Sequence, residues 1–212
     1  TLAQTDFMDV IAAGAGSWSG TRLGNAQGNT GITFDAQVTR YWVGGTGNWS
    51  DDAEWSSSTG GAGGSSAPVC HDIAIFDANS FSAGSQVVTA NFVCYPPMTW
   101  TNATNSPTLK FNGDGARLQS QYLFGDQIFI SSMTLTSFDS SFGGSIIFFV
   151  DRGSKTLDMG GNSLTSGPFS VVSVDAPAGT LTLASSLIAT IRQSFNVDRG
   201  TFASNNKDVT LS

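Results

Sequence analysis

Phe149-Val150-Asp151-Arg152-Gly153, Ser173-Val174-Asp175-Ala176-Pro177 and Asn196-Val197-Asp198-Arg199-Gly200 are three versions of one phrase, and Phe124-Gly125-Asp126 is a looser fourth. Their aspartates, Asp126, Asp151, Asp175 and Asp198, recur at nearly even spacing. One aspartate falls about every 23–25 residues, and a period between about 20 and 50 marks stacked supersecondary units. From residue 107 the chain offers short apolar stretches bounded by Gly, Asn, Asp or Ser, at 108–111, 122–124, 128–130, 133–135, 146–150, 171–174, 180–183, 188–191, 194–197 and 209–211. Two or three short strands per repeat is the layout of a parallel β-solenoid (β-helix) with about 23–25 residues per coil. Successive rungs of such a stack lie about 4.8 Å apart, so inward Val, Ile, Leu and Phe form ladders. The Val-Asp step marks a strand leaving the core, and Gly or Pro follows because a corner needs special backbone angles. On this reading the four aspartates are coil-corner residues.

Composition fits an all-β chain. Of 212 residues 40% are hydrophobic, enough for a core, yet only 12% are charged, and Ser, Thr, Asn and 25 Gly carry the polar balance. The usual charged share is about 25%. Net charge is −7 with no basic patch, which argues against nucleic-acid binding. No apolar stretch approaches the roughly 20 residues of a membrane helix, so membrane insertion is not expected. The strand-like end at Val209-Thr210-Leu211 reads as a cut segment, or as an edge that a partner covers.

Residues 1–69 lack the period and read as a β-rich capping or junction region, with residues 70–212 as the solenoid. Within the first part, 5–13 suggests a short helix, capped by Asp6 and with Phe7, Val10 and Ile11 on one face.

Residues 41–56 read YWVGGTGNWSDDAEWS; TGGAGGSSAPVC follows, then HDIAIFDANSF through Phe81. This module resembles one found in repetitive β-rich proteins of tailed-bacteriophage virion fibres and of some bacterial surface adhesins. The likeness covers about residues 28–112. It implies a virion-associated or extracellular structural protein and no catalytic residue.

Several side chains are candidates for chemistry. Tyr41, Trp42, Trp49 and Trp55 could form a platform for sugar rings or pack a core, since large aromatics dominate small β cores. Cys70 and Cys94 are spaced by one repeat length; on adjacent rungs their Cα atoms would lie within disulfide range. With His71, the only histidine, they fall short of a zinc site, so no metal or other cofactor is expected. A Ser-His-Asp triad would need His71 with Asp72 or Asp77 and lacks a nucleophile elbow. Asp51, Asp52 and Glu54 lack the alternating spacing of a calcium loop.

The expectation is a structural virion protein: a segment of a tail fibre or surface fibre acting in display and host-surface attachment, not an enzyme. It would be a homo-oligomer, a trimer by analogy with phage fibres, in contact with other virion proteins and with host cell-surface glycans. The alternatives are a capsid decoration protein, a bacterial adhesin segment, and a tailspike-type depolymerase cleaving glycans with paired carboxylates.

Overall fold

The computed structural model describes residues 2–14, 16, 18–111, 120–136, 146–150 and 152–212. The chain is all-β. Among the described residues the helical element is one 3-10 turn, Asp52–Glu54, whose preceding Asp51 accepts from the Ala53 N–H at 3.0 Å.

Parallel pairing dominates. One ladder joins Cys94–Tyr95, Ser120–Phe124, Ile146–Val150 and the long strands Ser163–Leu183 and Leu187–Ala203. A second joins Thr39–Trp42, Ile73–Ile75, Met98–Thr99, Gln127–Ile128 and Lys155–Asp158, and meets the long strand again where Leu157 faces Leu183. A separate four-stranded sheet stacks Gly47–Asn48, Val87–Ala90, Thr108–Phe111 and Thr134–Thr136. Parallel partners need crossover connections rather than tight hairpins. Trp55–Ser56 is the exception, lying antiparallel on Thr39–Trp42.

The registers refine the repeat. Ser120 faces Ile146, Ile146 faces Val171, and Val171 faces Ser194, so the step shortens along this ladder. On the second ladder Met98 faces Gln127 and Gln127 faces Leu157, and both of those steps are longer than any on the first. The aspartate spacing therefore describes only part of the chain. Backbone hydrogen bonds fix the strands, and corner loops lengthen freely between them. Nor do Asp175 and Asp198 stack on one another. Val150 faces Asp175, and a register shift after Val174 puts Arg199, rather than Asp198, opposite Asp175. Asp151 lies outside the described residues.

One expectation for the N-terminal part is corrected. Residues 5–13 form no helix: Asp6–Phe7 pairs in parallel with Gly24–Asn25, and Ile11 bridges to Thr30. A single short turn of helix cannot offset its nucleation cost, whereas a second extended segment further along the chain satisfies the same backbone groups. Ile11 is 79% exposed, so it does not belong to a buried helical face. Thr39–Trp42 pairs in parallel with Ile73–Ile75, so the large sheet takes strands from both sides of residue 70.

The main core is continuous, from Trp42, Trp49 and Trp55 through Phe76, Trp100, Leu109 and Leu135 to Val172, Leu183 and Ala189. A second, small apolar cluster contains Ala26, Cys70, Cys94 and Phe124, with Tyr122 against it. It lies where the N-terminal strands cover the first ladder. Arg152 reinforces that cover through an ion pair with Asp9 and a backbone N–H donated to Gln27 Oε1 at 3.0 Å.

Candidate functional site

The tryptophan module builds an interior. Trp42 faces Trp55 across the antiparallel pair, their rings 5.1 Å apart and nearly perpendicular. Trp49 packs edge-on to Trp55 at 4.8 Å and to Tyr95 at 5.1 Å. Phe76 stacks flat on Trp100 at 3.7 Å. Trp42, Trp49 and Trp55 are each 0% exposed, so the sugar-platform alternative is corrected for all three; Tyr41 beside them is partly exposed. The backbone serves this packing. The Gly45 carbonyl accepts the Trp42 indole N–H at 3.1 Å, and Trp49 O accepts that of Trp55 at 2.7 Å. The FDANS turn closes the module: Asp77 accepts from the Asn79 N–H at 2.8 Å and from the Thr59 hydroxyl of the Ser/Gly loop at 2.5 Å.

The acidic candidates also have structural partners. Asp52 accepts the Ala67 N–H at 2.7 Å, and Asp126 the Thr156 N–H at 2.7 Å. Asp175 takes a bidentate contact from Arg199, at 2.5 and 2.7 Å, across neighbouring strands. Asp198 is exposed. Asp72 is fully buried and holds three segments at once. It accepts from Arg22 Nη2 at 2.6 Å, the Val69 N–H at 2.9 Å and the Val38 N–H at 2.9 Å.

The cysteines are where chemistry converges. Met98 pairs with Ala74, and the offset between them equals that between Cys94 and Cys70, which sit the same short run ahead of those strands. The two cysteines are accordingly brought together on neighbouring rungs. Both are free thiols, and both are buried. Asp6 joins them from the N-terminal cover. The Cys70 thiol donates to Asp6 Oδ1 at 3.1 Å, and one ligand atom from each of Asp6, Cys70 and Cys94 lies within 4.8 Å of the others. Gly24 makes room: a Cβ there would overlap Asp6 Oδ1 and press on Cys70 Sγ.

Electrostatics in this cluster disfavour extra negative charge. Burial pushes the Cys94 thiol well above its ordinary pKa, and the Cys70 and Asp6 groups push the same way. Cys70 ends raised as well. Its hydrogen bond with Cys94 pulls down, but burial and Asp6 together outweigh it. Burial also raises Asp6, against the hydrogen bond from Cys70 and the attraction of His71. His71 is not a fourth ligand as placed: Nδ1 accepts the Asn25 N–H at 3.0 Å, and Nε2 lies 3.1 Å from Asp35 O.

Asp6 and Cys94 line a cleft of about 320 Å³ with Gln4, Ala67, Val69, Asn91, Phe92 and Val93. Asp6 lies 64 residues from Cys70 in the chain, and no local motif marks it as a site residue.

No family model matches the chain, and no curated protein or solved structure matches it either.

Proposed function

We propose that this chain is a segment of a fibre, built as a parallel β-solenoid and used for reach and display at a virion or cell surface. The observation that carries the reading is rung-by-rung parallel register. Strand after strand faces a counterpart roughly one repeat later, along both ladders of the large sheet and along the four-stranded sheet. On this reading the three ladders are the faces of a three-sided coil. A stack of such coils is stiff along its axis because every rung bonds to the next. The buried aromatic module anchors one end of the core, while corners and polar loops remain as contact surface.

The sequence resemblance supports a tailed-phage fibre within this class, attaching to host-surface glycan and assembling with copies of itself and other virion proteins. Native mass measurement and a host-cell retention assay test it. A homo-oligomer retained by host cells is expected. A chain that stays monomeric at micromolar concentration and is not retained would overturn the attachment-fibre reading.

A further inference from the structure

We propose that Asp6, Cys70 and Cys94 form a binding site for one thiophilic divalent cation, of the zinc type, with its fourth position open to the adjoining cleft. The donor set is two sulfurs and one carboxylate oxygen, mutually within 4.8 Å. Tetrahedral zinc with bonds of about 2.3 Å to sulfur places two such donors about 3.8 Å apart.

Three independent features make this a receptacle rather than a chance encounter. First, the donors come from separated segments, the N-terminal strand Asp6–Phe7 and two neighbouring rungs, so the site exists only when the N-terminal cover is docked. Second, Gly24 lets the Asp6 carboxylate come close beside Cys70 Sγ, an approach that any side chain at position 24 would block. Third, Cys94 and Asp6 both reach the wall of the 320 Å³ cleft, which gives an ion an entry path and a place for water or an exogenous donor.

The charge balance is simple. A divalent cation displaces one proton from each thiol to solvent and is held by two thiolates and the Asp6 carboxylate. Arg22 pairs with Asp72 and Arg152 with Asp9, and the cation offsets two of the three ligand charges. A closed structural zinc site has four protein ligands, whereas three plus an open position is the arrangement that admits an outside ligand. The site therefore fits a cation that both locks the N-terminal cover and presents a coordination position to the cleft.

Cobalt(II) titration of the whole reduced chain tests this. One cobalt per chain is expected, with a thiolate-to-cobalt charge-transfer band and visible bands of tetrahedral intensity, all displaced by zinc. C70S and C94S should each abolish the charge-transfer band's two-thiolate intensity. D6N, at the cleft wall, should weaken cobalt binding at least about tenfold, since even outer partners of metal ligands cost about 10–100-fold. Urea midpoints for each variant show whether it folds, and D6N keeps the test sharp if a cysteine variant does not. A reduced, folded wild-type chain that shows no thiolate band, or binding unchanged by D6N, overturns the proposal. So does an isolated protein whose Cys70 and Cys94 are joined and which takes up no cobalt after reduction.

Discussion

Replacing Asp72 with Ala tests whether the N-terminal cover and the first rungs fold as one unit. Asp72 is 0% exposed and receives three N–H groups from three places: the Arg22 guanidinium, the Val69 amide and the Val38 amide. D72A strands both amides and leaves Arg22 with only the Ala67 carbonyl, at 2.9 Å, among the acceptors described above. Hydrogen bonds to a charged group contribute about 1.5–3 kcal/mol each, and they are not additive within one network. Removing one partner of a buried ion pair costs about 3–5 kcal/mol in total. At about 2–4 °C per kcal/mol for a chain of this size, the melting temperature should fall by roughly 6–20 °C. D72N should also lose stability, because in either amide orientation its nitrogen would face a donor, the Val38 N–H in one and the Arg22 and Val69 groups in the other. Urea unfolding followed by tryptophan fluorescence is the assay, since the buried indoles report directly on the core. A double-mutant cycle with R22A should show a coupling of about 0.5–3 kcal/mol. A D72A loss below about 1 kcal/mol, well under the cost of breaking a buried pair, would refute the idea that this carboxylate ties the segments together.

Three other outcomes are expected. W55A should lose about 3–5 kcal/mol and most of the near-ultraviolet circular dichroism, because Trp55 touches Trp42, Trp49 and Phe76 in a sealed core; a near-native spectrum would argue against that packing. G200A should destabilise by more than about 1 kcal/mol: Gly200 has φ +84°, and a Cβ would overlap the Ala176 carbonyl oxygen on the neighbouring strand, so an unchanged thermal melt would contradict this close backbone approach. Burial, and after it the charge of Asp51, raises the Glu54 carboxyl above its ordinary pKa. A raised native pKa means the folded state holds that proton more tightly, so the ionised form subtracts stability above the native pKa and the loss disappears below the unfolded one. E54Q should therefore be the more stable protein at neutral pH, with the difference gone near about pH 3; urea midpoints that differ equally at both pH values would rule this out.

Much of the strand inventory is legible in the sequence because it depends on local chemistry. Thr108–Phe111, Ile146–Val150 and Val209–Leu211 are short apolar or β-branched runs between turn formers, and each is a strand. Lys155–Asp158 escapes a local reading because Leu157 is its only apolar residue, and that strand is held by the backbones of its neighbours. The aspartate spacing reveals a repeat but not the register. A shift after Val174 and longer corners elsewhere move the pairing by a residue or more without changing the local pattern. The WVGG module announces aromatic clustering, while its two roles, platform or core, separate only once burial is known.

By itself, then, the sequence determined the all-β class, the recurrence of short strands and the presence of a compact aromatic module, since each follows from side-chain preference over a few residues. Tertiary structure alone decided that Asp72 is a buried tie, that Gly24 lets the Asp6 carboxylate come close, and that Asp6 meets Cys70 and Cys94. These depend on parallel pairing across tens of residues, and nothing in a local run of sequence encodes which distant segment will supply the third side chain. Asp126, Asp175 and Asp198 carry the repeat signal and hold structural or exposed positions, whereas the carboxylate placed to do chemistry, Asp6, carries no repeat signal at all.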